Sequence, residues 1–201
     1  ANYLSAAAQS KALVTGNPVR PAFYTASAEK GRRFANVNGE KPILLVIGGS
    51  LGARQINDLV EKNLDQLCRH FTVIHQTGIK NVSAEPCMVS EDVKCNYHPF
   101  SFIYAEMPDV IAAADVVLSR AGANSLWECS VLGKPMILIP LSGAGTRGDQ
   151  EDNAAYFEKR GAAAVLARKN ATVENLLRTL TTFLDTDTRR RYAEASFSLS
   201  A

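Results

Sequence analysis

Short apolar runs rich in β-branched residues alternate along this chain with helical stretches, and several of the runs end in turns of small residues. Pro42-Ile-Leu-Leu-Val-Ile47 runs into Gly48-Gly49, and Phe71 to His75, Val116 to Leu118, Met136 to Ile139 and Ala162 to Leu166 are further runs. Strands that are apolar on both faces belong to parallel sheets covered by helices. Between them, Ala53 to Arg69 carries Ile56, Leu59, Val60, Leu64 and Leu67 at the spacing of one helical face. Helices are also expected over 108–114, 124–132 and 150–160, and from an N-cap at Thr172 to about Leu184. Val93 to Tyr97 reads as one more strand, and Thr188 to Ala195 as the start of a last helix. Repeated βα units of this kind specify an α/β fold, a doubly wound parallel sheet that is Rossmann-like. The small-residue turns at 48–53, 120–124 and 141–149 all follow strands. They therefore fall on the carboxyl edge of the sheet, where such folds bind ligands.

Composition narrows the function classes. With 201 residues and 46% hydrophobic content the chain can bury a real core. A net charge of +2 without a basic patch argues against nucleic acid as a partner. No apolar run approaches the ~20 residues of a membrane span, and residues 4–8 lack the basic start and long apolar region of a signal peptide. A cytoplasmic chain is expected. Cys68, Cys87, Cys95 and Cys129 form no CxxC pair, and their spacings fit no zinc pattern, so no metal site is expected. Cys129 reads as a buried free thiol, and His70, His75 and His98 as satisfied or surface histidines.

Three segments carry candidate chemistry. Gly48-Gly49-Ser50-Leu51-Gly52-Ala53 is neither GxGxxG nor a lysine-bearing P-loop, yet it has the makings of a phosphate cradle. Its glycines also suit plain strand–helix packing. Asp115 to Glu128 turns a strand into a helix whose Ser125 and Glu128 are suited to holding a sugar; Ser125-Leu-Trp-Glu128 equally fits a capping box. Arg120 in that turn is expected to be structural, paired with Asp115 or a helix C-terminus. Gly143, Gly145 and Gly148 make 140–153 a ligand-closing loop in which Asp149 is either an N-cap or, with Gln150, a grip on sugar hydroxyls. Arg189-Arg-Arg191 reads as a solvated face.

Six motifs in order then point further: Thr15-Gly-Asn-Pro-Val-Arg20, Gly48-Gly-Ser-Leu-Gly-Ala-Arg54 with Asn57, His75-Gln-Thr-Gly78, Phe102-Ile103 with Met107, Ala114 to Ala123 with Glu128, and Gly148-Asp-Gln150 with Asn153-Ala154. Over residues 11–184 the chain resembles the MurG family of family 28 glycosyltransferases, bacterial enzymes that add GlcNAc from UDP-GlcNAc to the lipid-linked muramyl-pentapeptide of peptidoglycan. The resemblance implies the C-terminal, donor-binding half of a GT-B transferase. It implies that Arg20 and the Ile103 backbone contact uracil, that Met107 caps the nucleotide, and that Glu128 takes the ribose hydroxyls. Gly49, Ser50 and Gly52 would face the diphosphate with Ser125 assisting, and Ala123 with Asp149 or Gln150 would hold the GlcNAc. Phe102 to Met107 is one residue longer than the family spacing.

The resemblance also implies a division of the chain: 1–40 a remnant of the interdomain linker and N-terminal half, 41–184 the UDP-GlcNAc-binding domain, and 185–201 a truncated helix. A helix is expected somewhere in 24–35, and Ala12 to Arg20 reads as a strand ending in a tight turn. The family's catalytic base and lipid-linked acceptor belong to the N-terminal half, and no cofactor is implied. The full enzyme is expected to lie peripherally on the cytoplasmic face of the inner membrane. Two other functions suit the same residues: the donor subunit of a split two-protein GlcNAc transferase, and a non-catalytic nucleotide-binding module.

Overall fold

The computed structural model describes residues 5, 8, 11–12, 17–48, 54–79, 90–142 and 148–200. Six strands form one sheet: β1 (Ile43–Ile47), β2 (Thr72–Gln76), β3 (Tyr97–Phe100), β4 (Val116–Ser119), β5 (Met136–Leu138) and β6 (Ala163–Val165). They run parallel in the order β3-β2-β1-β4-β5-β6. Leu45 of β1 is in register with Ile74 on one side and Val117 on the other. The chain order reverses at β1 and β4, so the switch point of the doubly wound sheet lies between their carboxyl ends.

The apolar runs become strands because both of their faces are covered. Ile43, Leu45, Ile47, Val117 and Leu138 project into one core, and Leu44, Val46, Val116, Leu118 and Ile137 into the other. The first core is closed by α5 (Met107–Ala113), α6 (Ala123–Val131) and α7 (Asp149–Lys159), and α1 (Ala28–Phe34) packs on α5. The second is closed by α2 (Arg54–Glu61), α3 (Leu64–His70) and α8 (Val173–Thr182). α4 (Glu91–Asn96) leads into β3, and α9 (Thr186–Ser198) packs on α6, where the buried Ser196 hydroxyl meets Ser130 at 3.4 Å. Among the described residues no helix is long and apolar enough to cross a membrane.

Two segments differ from expectation. The stretch Ala53 to Arg69 is not one helix: the buried Asn63 donates from Nδ2 to the Leu59 carbonyl at 2.8 Å, and α3 starts afresh after it. An asparagine competing for backbone partners ends helices in this way. Val93 to Tyr97 is mostly α4, capped by Ser90, whose Oγ accepts from the Val93 N–H; the strand begins only at Tyr97. Pro99 is tolerated in β3 because that strand is at the sheet edge.

Thr172 caps α8 as expected, accepting from the Asn175 N–H at 3.2 Å. Asn17 to Arg20 are not strand, and the 13–16 part of that expected strand lies outside the described residues. A 3-10 turn at Pro21–Thr25 follows, then α1. Phe23 is fully buried, and the Ser27 N–H donates to Asp109 Oδ1 at 2.7 Å. Gly31 lies so close to the backbone of α5 that any Cβ there would overlap the Asp109 carbonyl. Residues 21–34 are thereby fastened to the same body as the sheet.

Candidate nucleotide-sugar cleft

A cleft of about 450 Å³ opens at the carboxyl edge beside β1. Its floor is the end of a strand, Ile47, and its first wall is the segment that follows β3, with Phe102, Ile103 and Tyr104 leading to Met107 and Ile111 of α5. The facing wall is α6, which supplies Ser125 and Glu128, and Arg20 reaches in from the segment ahead of the 3-10 turn. Five of the residues expected to bind ligand, Arg20, Ile103, Met107, Ser125 and Glu128, are thus brought together from four separate parts of the chain.

The local sequence explains the wall after β3. β2 continues the hydrogen-bond ladder past its end, with Thr77 N–H donating to the Phe100 carbonyl at 2.9 Å and Gly78 N–H to Ser101 at 3.1 Å. Gln76, 2% exposed, then accepts the Ile103 N–H at its Oε1 at 2.9 Å. Phe102 and Tyr104 meet edge to face, with Tyr104 largely exposed at the rim. A buried glutamine thus fixes an irregular segment whose backbone a base is expected to meet.

The facing wall overturns one expectation. α6 starts at Ala123 with Gly122 as its N-cap, and no side chain caps it. Ser125 is therefore the third helical residue, so Ser125 and Glu128 do not form a capping box. Glu128 instead accepts from Arg20 Nε at 2.7 Å, its side chain 12% exposed against 60% for the arginine. The Arg20 guanidinium lies 4.9 Å from the centre of the Phe23 ring. Arg120 does not pair with Asp115, which accepts the Ile43 N–H at the opposite edge of the sheet. It bonds the carbonyl of Ile139 at 2.9 Å and the Gln55 side chain at 2.9 Å, and burial lowers its pKa.

The other expected residues stand apart from this cleft or outside the described chain. Gly49, Ser50 and Gly52 lie outside the described residues, as does 143–147 of the loop. Ala123 is exposed at the start of α6. Asp149 is not an N-cap: that position is Gly148, in the left-handed region at φ 80°, and Asp149 is the exposed first residue of α7. Gln150 accepts the Leu141 N–H at Oε1 (2.9 Å), and Asn153 donates to the Ala121 carbonyl at 3.0 Å. Both tie the start of α7 to the turns around it. Sequence reasoning left out Gln76, Phe102 and Tyr104 as cleft residues. The available signal for Gln76 was its place directly after the buried-strand run Phe71 to His75.

Behind β2, on the other face, the fully buried His75 has both ring nitrogens engaged, by Tyr97 Oη at 2.9 Å and Asn57 Oδ1 at 3.1 Å. Asn57 in turn donates to the Thr77 carbonyl at 2.8 Å. Burial holds the His75 pKa down at about 4, so the ring is neutral at physiological pH. This is the satisfied core histidine expected. Cys129 is the buried free thiol expected, its pKa pushed up to about 12 by burial.

Comparison with known proteins agrees with this fold. Residues 43–200 match the model of the glycosyltransferase family 28 C-terminal domain. The chain is 44% identical over 186 residues to the UDP-N-acetylglucosamine--N-acetylmuramyl-(pentapeptide) pyrophosphoryl-undecaprenol N-acetylglucosamine transferase of Treponema denticola, covering 90% of this chain and 48% of that protein. It is 43% identical over 166 residues to the protein of the same name from Geobacillus kaustophilus, covering 83% and 45%. The chain spans about half the length of these curated relatives. Among solved structures, Acinetobacter baumannii MurG superposes with a TM-score of 0.68 at 24% identity, over 94% of this chain and 52% of that one. WaaG, a glycosyltransferase involved in lipopolysaccharide biosynthesis, does so at 0.67 and 21%, over 92% and 50%. The Rossmann-like sheet is thus that of one half of a GT-B glycosyltransferase. On the match of its residues 43–200, the chain belongs to the family of glycosyltransferase family 28 C-terminal domains.

Proposed function

We propose that this chain is the donor-binding half of an inverting N-acetylglucosaminyltransferase that converts lipid I to lipid II in peptidoglycan synthesis, and that its cleft takes the uridine half of UDP-GlcNAc. The observation that carries this reading is the placement of Ile103, Met107 and Glu128 around one cleft at the switch point. A largely apolar wall suits a flat base, and a carboxylate suits the two donor hydroxyls of a ribose. The names of the relatives supply the donor sugar and the lipid-linked acceptor. The Ile103 N–H is already engaged by Gln76, so the uracil contact falls to the remaining backbone and side-chain groups of that wall.

In this scheme Met107 covers the nucleotide, Glu128 accepts from the ribose hydroxyls, and Arg20 borders the base. Gly49, Ser50 and Gly52 face the diphosphate with help from Ser125. Ala123 and either Asp149 or Gln150 hold the GlcNAc hydroxyls. An acceptor hydroxyl displaces UDP from the anomeric carbon with inversion, and donors aimed at the diphosphate stabilise the departing charge. The acceptor and the base that activates it are assigned to an N-terminal half, in an enzyme peripheral to the cytoplasmic face of the inner membrane.

Titration calorimetry with UDP-GlcNAc, UDP-GalNAc and ADP tests the donor assignment. UDP-GlcNAc should bind most tightly and ADP should give no heat. Failure of every uridine ligand would favour a non-catalytic module instead. Turnover of a lipid-linked acceptor by this chain alone would overturn its assignment as a half-site.

A further inference from the structure

Arg20 and Glu128 are 108 residues apart, yet they form a single hydrogen-bonded ion pair at the cleft. The contact is one-sided, from Nε to Oε1 at 2.7 Å. The carboxylate is the sheltered partner and the guanidinium the exposed one. Arg20 is itself held over the Phe23 ring, and Phe23 is anchored in the core. Asn17 makes a second link between the same two segments, donating from Nδ2 to Asn124 Oδ1 at 3.4 Å. An unrestrained glutamate rotates about three side-chain bonds, and a short charge-assisted bond to an anchored arginine removes that freedom.

We propose that Arg20 is a positioning residue: it holds the Glu128 carboxylate by one oxygen so that the other is available to the ribose diol, and the pair selects ribonucleotides over 2′-deoxyribonucleotides. This rests on the uridine-nucleotide reading of the cleft. The pairing has an electrostatic side as well. A lone carboxylate beside a nucleoside diphosphate repels it, whereas a carboxylate neutralised by a neighbouring guanidinium accepts hydroxyl protons without that cost.

The test is calorimetric binding of UDP and 2′-deoxy-UDP to the chain and to Arg20→Gln, Arg20→Lys, Glu128→Gln and the Arg20→Gln/Glu128→Gln double variant. The unaltered chain should prefer UDP by roughly tenfold or more, the value of one charge-assisted hydrogen bond. Arg20→Gln should lose most of that preference, weakening UDP several times more than it weakens 2′-deoxy-UDP. The double variant should then be no worse than Glu128→Gln, because the two residues act as one unit. Arg20→Lys, which keeps the charge, should recover part of the preference. A parallel loss of both nucleotides in Arg20→Gln and Arg20→Lys, with their ratio intact, would show that Arg20 touches only the base and would overturn the proposal. Equal binding of the two nucleotides by the unaltered chain would overturn it too, while leaving the uridine site standing. Only failure of UDP itself to bind would bring down the cleft reading.

Discussion

Lys134 and Asp115 at the amino edge of the sheet and Glu128 at its carboxyl edge use their charges in different ways. At the amino edge Lys134 and Asp115 are engaged by backbone: Lys134 Nζ donates to the carbonyls of Ala112 and Ala114 at 2.6 and 2.9 Å, and Asp115 accepts the Ile43 N–H at 2.7 Å. Lys41 bonds the Cys68 carbonyl at 2.7 Å and Asp92 at 3.3 Å. At the carboxyl edge Glu128 is answered by a side chain from another segment, and that contact is half open to water. The first arrangement seals strand starts and helix ends. The second leaves groups that a ligand can share. Burial with complete pairing marks a residue that matters for stability, and partial exposure at the cleft marks one that matters for binding.

His75 is the sharpest trial of that distinction, because it sits near the carboxyl edge but is built like the amino one. Its pKa is about 4 in the fold and 6.5 when free, so between these values the unfolded chain binds the extra proton. Its contribution is therefore complete above about pH 6.5 and lost as pH falls toward 4, by roughly 3 kcal/mol. Urea unfolding from pH 7.5 to 4.5 should show this slope, and His75→Gln should flatten it. An unchanged slope in the variant would assign it to other groups.

Lys134→Met comes next, expected to cost about 2 kcal/mol because two carbonyls lose a charged donor, with UDP affinity unaltered. Loss of binding without loss of stability would break the comparison at its amino end. Gln76→Leu should show both behaviours, destabilising the chain by about 1 kcal/mol through the stranded Ile103 N–H and weakening UDP severalfold. If it weakens UDP with no change in the unfolding midpoint, the fastening of the wall is not its role. Glu128→Ala should move stability least, by less than about 1 kcal/mol, since its partner is largely exposed. It should still weaken UDP roughly tenfold. A large fall in melting temperature for this variant would erase the contrast between the edges.

How far these features were legible in the chain depends on the range of the physics behind them. Apolar runs between helical patterns identified the doubly wound sheet, since strand burial is written into adjacent residues. Thr172 was readable as an N-cap for the same local reason. The break at Asn63 was not, because its side chain chose a carbonyl that the apolar spacing does not report. α4 was hidden by Val93 and Tyr97, though Ser90-Glu91-Asp92 is a helix start by composition. The capping-box reading of Ser125 and Glu128 failed because Ala123 and Asn124 were already helical, and nothing near residue 128 could announce a partner at residue 20. Gln76 stands within the His75-Gln-Thr-Gly78 motif, but its grip on Ile103 depends on β2 and β3 lying side by side.

The strand order has a consequence for how the chain acquires its cleft. β1 pairs first in sequence with β2, but its other neighbour is β4, so Leu45 meets Val117 only after a long loop has closed. Such closures are entropically slow, and contacts of this range set the pace of folding. The cleft straddles that seam, with one wall from residues 102–111 and the other from α6. A ligand there stabilises only the completed sheet, by an amount that grows with the logarithm of its concentration over Kd. Binding of a nucleotide thus serves as an assay for the final step of assembly.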